Sequence, residues 1–248
     1  MEEHEKDKAM TVVGHLEELR KRIIWIIIFF VISLIVGFML ADPVIRYFTH
    51  DLNAKNITWN VFRLSDALRV YMYFAFAIGI TISLPFALFQ IWLFIAPGLT
   101  KRERKATMWF IPTAFILFLL GVSFAYFILF PMVVNFLSNI SKQLGVVEVY
   151  GIAQYFSFML NIVIPFGIVF ELPVVVVFLT RLGIISPKLL IKIRKLAYFV
   201  LIIVAVTITP PEPMSDILVS VPLILLYEIS IILSKVASKK RQQALEEI

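Results

Sequence analysis

The sequence predicts an all-α, polytopic membrane protein, and three observations carry that reading. Sixty per cent of its 248 residues are apolar, against about half in soluble domains. Mean hydropathy is +0.93. Long uncharged runs alternate with short charged segments, and such runs satisfy their backbone groups in lipid by coiling into helices. There is no Cys, so neither a disulfide nor a thiolate site is available. His4, His15 and His50 all lie outside the apolar runs, which excludes an intramembrane histidine metal site.

Residues 1–22 carry six acids and five bases, too many acids for a cleaved leader. From Thr11, Val12, Leu16, Leu19 and Ile23 keep helical spacing, with Glu17/Lys21 and Glu18/Arg22 as i,i+4 pairs. A short amphipathic helix on the membrane is expected there, feeding a first span over 23–41 that Asp42-Pro43 stops. A polar loop follows, then a second span over 67–95 containing Pro85 and Gln90. After the loop APGLTKRERKA comes a third span over 107–131 and a cap of mixed polarity over 132–153. The fourth span covers 154–182 and a basic loop covers 183–194. A fifth span over 195–209 is broken by TPPEP and returns as a sixth over 216–234, ahead of a basic tail from Lys235. The whole reads as one membrane domain over 1–248, without an internal repeat.

The distribution of bases orients the chain. Segments 1–22, 96–106, 181–195 and 235–248 hold 18 of the 23 Lys and Arg, all on one side of a six-span layout. Positive loops stay inside, so both termini are expected in the cytoplasm, and the net charge of +6 reports orientation, not nucleic-acid binding. Trp25, Trp92 and Trp109 fall near that interface as expected anchors. The fifth span, at 15 residues, reaches ~22 Å against a bilayer core of ~30 Å. The sixth has only 11 residues, Ile217 to Tyr227, before Glu228, so both are expected to be short and the lipid beside them to thin.

The run PFGIVFELPVVVVFLTR carries one carboxylate, Glu171, ten residues before Arg181 and hence ~15 Å from that end. A charge there costs ~3 kcal/mol, so the acid is paired, protonated or facing a wet cavity. Gly167 and Pro173 predict a bend beside it. Two readings stand: an acid lining a concave surface, or a protonated Glu that merely packs. Two acids near the inner face, Glu18 in HLEELRKR and Glu103 in TKRERK, are either solvated ion pairs or carboxylates that receive guanidinium forks. No nucleophile–base pair, paired intramembrane aspartates or phosphate loop occurs, so no catalytic residue, metal or cofactor is expected. A proton-coupled small-solute transporter using Glu171 would fit these features, but such folds commonly repeat and this chain does not.

HLEELRKR, SLPFALFQIWLFIAPGLTKRERK, FAYFILFP, FGIVFELP and TPPEP, in that order over about residues 15–235, resemble the TatC family, the polytopic core of the twin-arginine protein translocase. The resemblance implies a glove-shaped, six-span bundle in the cytoplasmic (inner) membrane that acts as receptor for twin-arginine signal peptides. It implies export of folded proteins driven by the proton-motive force, in an oligomeric complex with single-span TatA/TatB-type subunits. By position it assigns Glu18 and Glu103 to the signal-peptide site, with Arg20, Arg22, Phe94 and Pro97 beside them. It places Glu171 in the concave interior, and Thr209, Glu212 and Asp216 where the single-span subunits dock. Glu212 and Asp216 depart from the family's commoner Asp and Gln.

Overall fold

The computed structural model describes residues 12–49, 59–99, 104, 107–209 and 213–246, and these are helical throughout apart from short connections. The helices are α1 (Val12–Thr49), α2 (Asp66–Ile95), α3 (Phe110–Phe124), α4 (Phe130–Gln143), α5 (Ile152–Val169), α6 (Leu172–Leu182), α7 (Pro187–Lys192), α8 (Arg194–Ile208) and α9 (Pro213–Glu246). Among the described residues, five segments are long and apolar enough to cross a membrane: Gly14–Thr49, Asp66–Gly98, Phe110–Gln143, Ile152–Leu182 and Ser215–Lys239. The helix α8 stands within a residue of the expected fifth span and is as short as expected.

Several boundaries differ from expectation. The amphipathic start and the first span are one helix, α1, which passes through Pro43 to Thr49. Asp42 does not terminate it, because its carboxylate is used sideways. It pairs with Arg46 at 2.9 Å and accepts from the Tyr71 hydroxyl of α2 at 2.9 Å. Pro131 does not end the third span either. The five residues Ala125–Leu129 widen into a π turn, with the Phe130 N–H donating to the Ala125 carbonyl. That wider turn accommodates the proline ring, which would otherwise press on the carbonyl four residues back. The helix then continues as α4, so half of the expected cap is helical, with Val133 buried and Leu137 against the core.

The loop expected over 183–194 contains α7, whose N–H of Leu189 is capped by the Ser186 hydroxyl at 3.2 Å. The sixth span is not a short helix: α9 has 34 residues and runs on into the basic tail. Glu228 does not end it because its charge is met there, by Arg194 at 2.8 Å and by the Tyr198 hydroxyl.

α1 packs chiefly on α2, α5 sits against α2 and α3, and α9 joins α6 to α8. The α1–α2 seam is close because of Gly37, where a Cβ would lie 2.5 Å from the Ala75 carbonyl oxygen. Backbone cannot yield as a side chain can. Gly37→Ala is therefore expected to destabilise by about 2 kcal/mol through overpacking, outweighing the ~1 kcal/mol that alanine gains in helix propensity. A lowered unfolding midpoint in detergent is the expected readout, and an unchanged or raised one would show that the helices simply slide apart.

Several large buried rings gather at one end of the bundle. Phe74 meets Phe156 at 5.1 Å, Trp59 stacks on Phe156 at 5.4 Å, and Phe130 meets Tyr155 at 5.4 Å. At that same end an isolated bridge between Asn60 and Gly151 ties two connecting loops together. Glu148, in the second of these loops, accepts from the Tyr150 hydroxyl at 2.8 Å. The Ser138 hydroxyl first, and then Tyr150, hold the Glu148 carboxyl below the ordinary carboxylate range. A depressed native pKa means the contribution is complete above the unfolded value of 4.5 and is lost as pH falls through the native one. Protection from amide exchange in 144–151, taken relative to the intrinsic rate at each pH, should therefore fall on acidification below that value, and Glu148→Gln should remove that loss of protection.

Candidate functional site

The helices α1 and α2 run antiparallel, so the start of α1 meets the end of α2, and this contact builds the first half of the site. Glu18 and Arg22 lie one turn apart on α1 and face α2. The Arg22 guanidinium donates through Nη2 to Glu18 Oε1 at 3.1 Å and through Nη1 to Gln90 Oε1 at 3.1 Å. The two charged side chains are only 15% and 26% exposed for Glu18 and Arg22, so water screens the pair weakly. Glu18 Oε2 is buried and has no partner among the described residues. His15 stacks on Phe94 at 4.3 Å between ring centroids, and Pro97 lies in the tight turn Ala96–Gly98 that follows α2.

Glu18, Arg22, Phe94 and Pro97 thus gather at one end of the molecule. Arg20 does not join them. It leaves α1 on the side that also carries Glu17, Lys21 and Trp25. Glu103 and Glu212 lie outside the described residues. Of the expected anchors, Trp25 and Trp109 are exposed, but Trp92 is not: it is 8% exposed and its indole donates to Thr107 Oγ1 at 3.1 Å. The Arg104 guanidinium sits 5.6 Å from the Trp92 ring, a cation–π contact that fixes the chain entering α3 against α2.

A cavity of about 330 Å³ opens beside Trp92 and Thr107 and extends between α2, α3 and α6 to Glu171. Ile91, Ile95, Phe110, Val174 and Phe178 make its wall almost wholly apolar. Glu171 stands at the junction between α5 and α6. The two-residue break, Phe170-Glu171, is where Pro173 supplies no N–H to continue the ladder, and the Glu171 N–H turns to the Ile168 carbonyl at 3.1 Å. The bend expected beside the acid is therefore present. Gly121 and Gly167 hold it in place, since a Cβ on either would come within 2.7 Å of Phe170 or Phe118. Glu171 is only 9% exposed, and its two carboxylate oxygens are buried with no side-chain hydrogen bond or ion pair among the described residues.

Thr209 and Asp216 are brought together at the turn between α8 and α9, the Thr209 hydroxyl donating to Asp216 Oδ1 at 2.6 Å. Sequence reading passed over Gln90 and Thr107 as site residues. Gln90 carried a signal, a lone amide within an apolar span; its partner 68 residues away did not.

Comparison with known proteins gives consistent results. A family profile described as Sec-independent protein translocase protein (TatC) matches residues 14–222. The Sec-independent protein translocase protein TatCy of Bacillus subtilis (strain 168) is 50% identical over 239 residues, covering 96% of this chain and 94% of that protein. A TatC of Halalkalibacterium halodurans is 50% identical over 237 residues, with 96% and 94% covered. Among solved structures, one described as "Crystal Structure of Twin Arginine Translocase Receptor- TatC" superposes with a TM-score of 0.81 at 33% identity, covering 90% of this chain and 99% of that one.

Proposed function

The chain belongs to the TatC family, and from that premise we propose that its Glu18 end receives the arginine pair of a signal peptide while its apolar cavity takes the segment that follows. As a family member it is a membrane-embedded component of the Sec-independent, twin-arginine translocase and works with other subunits of that system. The family is one of translocase components, not of enzymes. A small-solute transporter is not favoured, since the relatives are named as protein translocase proteins.

The observation that carries the proposal is that Glu18 already holds a guanidinium, with a second buried oxygen unpartnered among the described residues, against the same end of α2 that walls the cavity through Ile91, Trp92 and Ile95. Arginine forks match carboxylates with two parallel bonds, which a lysine ammonium cannot reproduce. Glu103, in the loop after α2, supplies the second carboxylate. The peptide's apolar part then lies along α2, α3 and α6 toward Glu171, where displaced water and buried side chains provide most of the affinity. Single-span TatA/TatB-type partners dock along α8 and α9 near Thr209, Glu212 and Asp216, in an oligomeric receptor complex. The proton-motive force drives transport of the folded cargo. In this reading the chain is one domain with six spans, α8 included, in the cytoplasmic (inner) membrane with both termini inside, and lipid thins beside α8.

The test is a pull-down of the full chain with a signal peptide carrying Arg-Arg against one carrying Lys-Lys. Preferential capture of the first is expected; equal capture would remove the guanidinium site.

A further inference from the structure

We infer that Arg22 is a resident occupant of the guanidinium site and sets the threshold that an incoming arginine must exceed; this rests on the receptor reading above. Its contact with Glu18 is not a fork on a fork. One nitrogen, Nη2, reaches one oxygen, Oε1, at 3.1 Å, while Nη1 is drawn away to Gln90 on α2. Arg22 Nε and Glu18 Oε2 are both buried and unpartnered among the described residues. A carboxylate held by one bond keeps acceptor capacity, and a doubly bonded guest is stronger than a singly bonded one. A guest guanidinium that takes both oxygens therefore displaces Arg22 or adds to it. A guest ammonium, a point charge without a fork, exchanges one single contact for another and gains nothing. Discrimination of arginine from lysine then comes from the occupant as well as from the acid. Without Arg22 the same carboxylate is open to any cation.

The experiment measures binding of fluorescent Arg-Arg and Lys-Lys signal peptides to the full chain in nanodiscs. Wild type, Arg22→Gln and Gln90→Met are compared, with Glu18→Gln as reference. Arg22→Gln is expected to bind the Lys-Lys peptide about tenfold tighter, as expected on removing one charge-assisted competitor, and to narrow the Arg-Arg preference by a similar factor. Gln90→Met keeps the charge but frees Nη1 to turn to Glu18 Oε2 and close the fork, so a stronger occupant and weaker Lys-Lys binding are expected. It decides the matter if Arg22→Gln fails to fold. Unchanged or weaker Lys-Lys binding in folded Arg22→Gln, or unchanged or tighter binding in Gln90→Met, overturns the inference while leaving the receptor reading intact, provided wild type still prefers Arg-Arg. Loss of that preference in wild type, or indifference to Glu18→Gln, overturns both.

Discussion

Glu18→Lys is expected to abolish capture of a twin-arginine peptide. The variant replaces the acceptor by a cation, sets it against Arg22 one turn away, and leaves Arg22 with Gln90 as its only partner among those described. Removing one member of a partly buried, hydrogen-bonded charge pair typically costs ~2–5 kcal/mol, which puts the loss of binding at about thirtyfold or more. Glu103→Lys should lose binding to a comparable degree if the two carboxylates act together. Crosslinking of a labelled peptide to each variant is the measurement. Undiminished crosslinking in both would remove the acids from the site.

The second large effect is at Glu171. Glu171→Gln keeps the volume and the polar end of the side chain without a charge, so the protein should accumulate and assemble normally. Glu171→Lys places a longer, cationic side chain into the same apolar cavity, where no carboxylate lies among its lining residues. At ~3 kcal/mol for a charge at that depth, assembly should fail for most of the protein. Membrane levels of the two variants separate the cases. Equal accumulation would mean that this position looks into water.

How far the sequence reaches is clear from individual elements. Apolar runs bounded by bases located α2 and α8 within a residue, because hydropathy records the lipid directly. Where a span ended on proline, the expectation failed. Pro43 and Pro131 sit inside continuing helices, one steadied by Asp42 pairing with Arg46 and Tyr71, the other by a π turn. Those compensations come from tertiary contacts and local rewinding, which no residue pattern displays. Glu228 misled for a related reason: its partners, Arg194 and Tyr198, lie on another helix. Ser186-Pro187 did carry a legible helix start, a capping hydroxyl followed by proline.

At the site, cost in lipid singled out Glu171, Gly167 and Pro173 marked the bend, and Glu18 and Glu103 were assigned only through the family resemblance. Sequence reading could not see Arg22 reaching Gln90, nor Arg20 turning away, because both depend on which face of α1 meets α2.

The rings joined around Phe74, Phe130 and Phe156 tie the helices at the rim farthest from Glu18. Those rings join α2, α4, α5 and the loop before α2, so the backbone that carries them opens only with the bundle as a whole. Protection from amide exchange should therefore be highest along the stretches of α2, α4 and α5 that carry these rings.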